Sequence, residues 1–178
     1  MTNDIQEILL DEETISQRVT ALGAEIDVHY EGEEILLITL LDGAIVFTAD
    51  LIRNLRRPLR LDCIRVSSYG DSTSPESRPR ILGNLRAEVE DRHVLLVDDI
   101  LDTGKTLRAV IDKLNALQPK SLTTCVLLEK KSRRAESITA DYVGFEVPDE
   151  FVIGYGLDYA ERYRNLPFIG VLKPEVYS

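Results

Sequence analysis

The residues richest in chemistry sit together in VLLVDDILDTGKTL (94–107). Gly104 permits close backbone approach and dihedrals that other residues avoid. Thr103, Lys105 and Thr106 place hydroxyls and an ammonium at the expected start of a helix. Unpaired N–H groups and the helix dipole favour an anion there, and a phosphate fits. Asp98 and Asp99 lie just upstream, where they can accept from vicinal hydroxyls or position Mg²⁺ through water. Adjacent carboxylates repel, so this pair gains most from a cation or a diol. Phosphate, diol and metal together describe a phosphorylated sugar. A nucleotide-binding P-loop would need glycine five residues before Gly104. Position 99 is Asp, so that reading fails.

The flanking pattern supplies the elements that hold these groups. HVLLV (93–97) reads as a strand, DDILDTG (98–104) as a polar loop. A helix is expected from Lys105, with Leu107, Val110, Ile111, Leu114 and Leu117 on one face, stopped by Pro119. SLTTCVLLEK (121–130) is the next strand. Strand, helix, strand predicts a βαβ unit and a parallel sheet. Ligands of such sheets sit outside the carboxyl ends of the strands. That edge carries Asp98, Asp99, Asp102 and, one strand later, Lys130. Upstream, Ile15, Val19, Leu22 and Ile26 recur at helical spacing. EILLITLLDG (34–43) is a buried strand ending in a turn at Asp42-Gly43. Ala44 to Leu55 is helical, and LRLDCIRV (59–66) is a strand. SSYGDSTSPESRP (67–79) is almost free of apolar side chains and is expected to be a mobile loop.

Composition narrows the partners. The 178 residues suit one domain, and 44% hydrophobic content is enough for a core. Twenty-one basic against 31 acidic residues leave a net charge of −10, which disfavours nucleic acid. Small anions remain accessible through local donors and a metal. No apolar run is long enough to cross a membrane. The N-terminus lacks the basic region of a signal peptide, so a cytoplasmic location is expected. Cys63 and Cys125 read as buried, reduced thiols. With His29 and His93 the only histidines, a His-rich zinc site is not expected.

VLLVDDILDTGKTL resembles the phosphoribosyl pyrophosphate (PRPP) signature of type I phosphoribosyltransferases: an apolar strand, two acids, and a loop ending in T-G-x-T/S. LLDGAIVFTADL (40–51), SSYGDS (67–72), LLEKKSRR (127–134) and PDEFVIGYGLDYAERYRNLPFIGVL (148–172) resemble successive blocks of hypoxanthine-guanine phosphoribosyltransferases. The resemblance runs from about Glu13 to the C-terminus. It implies an α/β fold, a parallel sheet flanked by helices with a small hood. One domain would span 1–178, with its core at about 35–145 and the hood built from the N-terminal segment and about 148–178. It also implies a homo-oligomer, dimer or tetramer.

The roles implied are specific. Thr103, Gly104, Lys105 and Thr106 would hold the 5-phosphate of PRPP, with Asp102 at the head of the loop. Asp98 and Asp99 would contact the ribose hydroxyls. Asp102 would also act as general acid/base at N7 of a 6-oxopurine. Lys130 would donate to O6, Phe151 would stack on the base, and Val152 would offer backbone groups to its edge. Asp158 would ligate Mg²⁺, with Asp98 and Asp99 also near the metal. Leu41, Asp42, Gly43 and Arg164 would meet the pyrophosphate. In the family the 41–43 loop can contain a non-proline cis peptide. Many members carry Lys or Arg where this chain has Asp42, which leaves the loop backbone as the expected ligand. Ser68 and Tyr69 would ride on a lid.

Each role has a plainer counterpart. Lys130 precedes Lys131, Arg133 and Arg134, a basic run that solvent could hold. Phe151 could be core, Asp158 could start a helix, and Arg164 could lie on the surface. A xanthine-preferring enzyme is the leading alternative substrate class. A pyrimidine-type transferase acting as an RNA-binding regulator should lack the acid at 102 and carry a basic face. A repressor of this fold would need an added DNA-binding domain. The expected reaction passes through an oxocarbenium-like state and needs no covalent nucleophile.

Overall fold

A computed structural model describes residues 2–67 and 79–177. The expected lid, with Ser68 and Tyr69, lies outside the described residues. In chain order the elements are β1 (Ile5–Leu10), α1 (Glu12–His29), β2 (Ile35–Leu41), α2 (Ile45–Asn54), β3 (Leu59–Ser67), β4 (Arg80–Leu82) and β5 (His93–Leu101). Then follow α3 (Lys105–Asn115), β6 (Ser121–Glu129), β7 (Tyr142–Glu146), β8 (Val152–Ile153), β9 (Ile169–Leu172) and α4 (Pro174–Tyr177).

Six strands form one sheet in the order β4-β3-β2-β5-β6-β7. All its pairs are parallel except β3 with β4. A parallel sheet covered on both faces needs unbroken apolar strands, and Ile35 to Leu40 of β2 are all buried. Side-chain alternation then sorts the residues by face. Ile35 and Leu37 join Leu95, Val97, Cys125 and Leu127 beneath α1 and α2. Leu36, Ile38 and Leu40 join Val94, Leu96 and Val126 against Leu107, Val110 and Leu114 of α3. Helix α1 buries Ile15, Val19, Leu22 and Ile26 on its periodic face. Asp11 opens it by accepting from the Thr14 amide at 2.8 Å, an N-cap of the usual kind.

A second sheet, β1-β9-β8, is antiparallel and draws on both ends of the chain. Tyr163 ties the two ends further, donating from its hydroxyl to Asp4 at 2.9 Å.

Two readings of the sequence are corrected. Strand β5 does not end at Val97 but runs to Leu101. Ile100 and Leu101 pair with Leu128 and Glu129 of β6, and Leu101 is buried. The two acids hid a strand whose apolar pattern resumes beyond them. Cys63 is only half-buried, on β3, whereas Cys125 lies in the core; both are free thiols.

Candidate active site

The carboxyl ends of β2, β3 and β5 open onto a cavity of about 780 Å³. Leu41, Asp42 and Gly43 reach it from the turn after β2. Asp98 and Asp99 reach it from β5, and Asp102, Thr103, Gly104 and Thr106 from the following loop. Asp158 and Arg164 close it from the C-terminal segment. Residues far apart in sequence meet because parallel strands deliver all their carboxyl ends to one edge.

The turn at Thr103 and Gly104 leads into α3, where the sequence places a helix start. Gly104 precedes α3 with φ 84° and ψ −8°, in the left-handed region that glycine tolerates. Gly104 has no side chain to cap α3, and the Lys105 amide donates to Oγ1 of Thr103 at 3.4 Å. A methyl group at Gly104 would fall 2.6 Å from Cγ2 of Ile138, on the segment that backs the loop. Ala135 and Glu136 donate their amides to the Thr103 carbonyl at 3.0 and 3.1 Å, fixing that backing. Lys105 opens the helix but is exposed and does not line the cavity.

The acid pair is held under tension. The Asp98 carboxylate accepts the Asp99 amide at 2.9 Å, and the Asp99 carboxylate accepts the Ile100 amide at 2.8 Å. Burial pushes the Asp98 carboxyl well above its ordinary range, and neighbouring Asp99 pushes it further. Burial also raises Asp99, against the opposing pull of its hydrogen bonds and of Arg164. Charge on this pair is therefore disfavoured unless a cation or hydrogen-bond donor sits beside it.

The peptide between Leu41 and Asp42 is cis. Asp42 does not meet the cavity alone: its carboxylate accepts from Arg65 of β3 at 2.7 Å. Arg164 donates to Asp158 at 2.8 Å and to the Gly156 carbonyl at 2.7 Å. Asp158 starts no helix. It accepts the Glu161 amide at 2.9 Å inside a turn where Ala160, Glu161 and Tyr163 have φ of 49°, 64° and 76°. Non-glycine residues in that region are strained, and such strain concentrates at functional sites.

Lys130, Phe151 and Val152 stand apart from that cavity's wall. Lys130 is 6% exposed, so it is not a member of a solvated basic run. Its ammonium donates to the Glu150 carbonyl at 2.7 Å. Burial lowers its pKa, and the negative charge of Asp102 opposes that shift, which links Lys130 to the phosphate loop. Oδ1 of Asp102 is buried and has no hydrogen-bond partner among the described residues. A buried acceptor left unmatched is costly unless a ligand supplies the donor. Phe151 is 37% exposed, which rules out a core role. Its ring stacks on Tyr177 of α4, centroids 4.9 Å apart, and meets Tyr159 edge-on. Val152 is buried on β8, where it pairs with Val171.

Sequence reasoning missed Arg65 and Glu161 on the cavity wall and Tyr177 behind Phe151. Arg65 was findable, because it lies near the carboxyl end of a strand at the ligand edge. Tyr177 carried no signal, since a stacking partner across the fold leaves no local pattern.

A mostly parallel sheet thus carries a glycine-turned loop directly after an acid-paired strand. The sequence profile of the phosphoribosyl transferase domain matches residues 6–160, and the chain belongs to that family. It is 48% identical to the hypoxanthine-guanine phosphoribosyltransferase of Bacillus subtilis, covering 100% of this chain and 99% of that protein. It is 47% identical to the bifunctional protein TilS/HprT of Listeria innocua, of which it spans only 28% of the length. The crystal structure of a hypoxanthine phosphoribosyltransferase from Staphylococcus aureus superposes with a TM-score of 0.95 at 44% identity, covering 100% and 97% of the two chains. No helix among the described residues is long and apolar enough to cross a membrane.

Proposed function

We propose that the chain transfers the 5-phosphoribosyl group of PRPP to hypoxanthine or guanine, giving IMP or GMP and pyrophosphate. The observation that carries this reading is the orphaned Oδ1 of Asp102, set between a phosphate loop and a buried lysine. Thr103, Gly104 and Thr106, with the Lys105 amide, hold the 5-phosphate. Asp98 and Asp99 accept from the ribose hydroxyls. The Lys130 ammonium, a donor only, meets the O6 carbonyl and mismatches the amino group of adenine. Phe151 offers its exposed ring to the base, and Val152 its backbone.

The bond from the anomeric carbon to pyrophosphate breaks as the purine N9 bonds to that carbon. The imidazole proton of the base leaves N7 for Asp102. The electron pair of the broken bond departs with pyrophosphate, which the backbone of Leu41 to Gly43 and Arg164 receive. Such a site works by holding reactants in line and stabilising the departing charge.

Asp98, Asp99 and Asp158 are carboxylates on the cavity wall, and oxygen ligands suit Mg²⁺ and not zinc. The described residues hold no cluster of three metal-ligating side chains, so the ion would complete its shell from diphosphate and water. When bound it neutralises charge on the leaving group. The test mixes the protein with PRPP, Mg²⁺ and each of hypoxanthine, guanine, xanthine and adenine, and follows absorbance. Turnover of the first two, abolished by excess chelator, is expected. Turnover of adenine alone, or full activity in chelator, would refute it.

A further inference from the structure

Six acids line the main cavity: Asp42, Asp98, Asp99, Asp102, Asp158 and Glu161. The guanidinium groups on its wall are those of Arg65 and Arg164. A diphosphate entering such a cavity needs every cation it can reach. Arg164 already serves Asp158 and the Gly156 carbonyl. Arg65 is placed differently. The parallel register sets it beside Leu41, so its guanidinium spans from the end of β3 to the turn after β2. There it donates to Oδ1 of Asp42 at 2.7 Å, with the two side chains 58% and 47% exposed.

An exposed ion pair of this kind adds little to folding. Its place on the cavity wall gives it another use. We propose that Arg65 is a ligand of the diphosphate, and that Asp42 is a competing counter-ion that occupies the guanidinium until the diphosphate displaces it. The exchange is favourable because a guanidinium binds phosphate oxygens in a planar, two-pronged contact and the diphosphate carries more charge than one carboxylate. This inference rests on the PRPP reading given above.

The experiment compares the unmodified chain with R65Q, D42N and D42K/R65Q. It reads KM for PRPP in synthesis, KM for pyrophosphate in the reverse reaction, KM for the base, and melting temperature. R65Q should raise both diphosphate-dependent constants about tenfold to hundredfold, the worth of one hydrogen bond between charged groups. The KM for the base and the melting temperature should stay near those of the unmodified chain. D42N removes the competing carboxylate and should lower the KM for pyrophosphate. D42K/R65Q returns a cation to the same place and should recover part of the loss. An R65Q variant with unchanged constants for PRPP and pyrophosphate would overturn the inference, as would a D42N variant that binds pyrophosphate more weakly. An unmodified chain that makes no nucleotide from PRPP would instead remove the activity reading itself.

Discussion

Gly43 and Asp99 touch so closely that no side chain fits between them: a Cβ on Gly43 would fall 1.7 Å from Oδ2 of Asp99. The turn after β2 thus packs directly on the acid pair of β5, and each fixes the other. The contact on the far side is as tight, because a Cβ on Gly156 would lie 2.2 Å from the Gly43 carbonyl oxygen.

The two glycines should therefore fail in different ways. Gly43→Ala meets the end of a side chain, which can swing aside at modest cost to folding. Swinging aside breaks the hydrogen bond from the Ile100 amide and removes Asp99 from the ribose site. We expect KM for PRPP to rise at least tenfold with only a small fall in melting temperature. Gly156→Ala meets backbone and also needs φ of 103°, so it should destabilise by about 2–3 kcal/mol. Paired thermal melts and PRPP titrations check both. Equal loss of stability in the two variants would contradict this account.

Asp98→Asn should stabilise the ligand-free protein at neutral pH while impairing catalysis. The buried Asp98 carboxyl titrates above its unfolded value. Folding thus favours its protonated form. That contribution is complete below the unfolded carboxylate range and is lost as pH rises through the folded value. Asparagine keeps the acceptor for the Asp99 amide and carries no charge to bury. Melting scans should show the variant a few degrees more stable near pH 7.5, since roughly 2–4 °C accompany each kcal/mol in a chain of this length. The advantage should shrink towards pH 4. A variant less stable than the parent at neutral pH would mean that the carboxylate is already stabilised.

Lys130→Ala should abolish productive base binding and spare PRPP binding. The ammonium lies among buried groups and can only donate. A site built around such a donor can reject an analogue lacking the acceptor by about 10⁴–10⁵. Steady-state constants should show the KM for hypoxanthine and guanine raised and adenine a very poor substrate of the unmodified chain. Unaltered KM values for both 6-oxopurines would show that Lys130 serves the Glu150 carbonyl alone.

Asp102→Asn should lower kcat with far less effect on PRPP affinity. The amide keeps size and hydrogen bonding but cannot take the N7 proton. Losing one general base typically costs about 10²–10⁴-fold, and we expect the low end, because the fixed geometry around the base survives. Single-turnover rates and equilibrium PRPP binding, measured on the same preparation, separate the two effects. A variant with unaltered kcat would make Asp102 a residue that only shapes the loop.

Much of this site was legible in one sequence. The acid pair, Gly104 and the helix after it are neighbours along the chain, so their placement at the end of β5 could be read from spacing alone. The unbroken apolar run of β2 and the helical face of α1 carried the core for the same reason: a local apolar pattern records what is buried. Resemblance extended the reading to Lys130, Phe151, Asp158 and Arg164, whose local contexts also allowed plainer roles.

Tertiary structure decided what depends on register between strands and on packing across the fold. Only the pairing of β2 with β3 sets Arg65 beside the loop that carries Asp42, joining residues of opposite charge that are 23 positions apart. Asp62 is a buried acid within β3. Three backbone amides, from Cys63, Arg86 and Ala87, make it a buried anchor. The stacking of Tyr177 on Phe151 joins the end of the chain to the face expected to hold the base. The sequence determined the residues and the local elements, because those follow from chemistry within a turn or a strand. The fold decided which charges meet, because hydrogen-bond register and close packing act between segments that no local pattern connects.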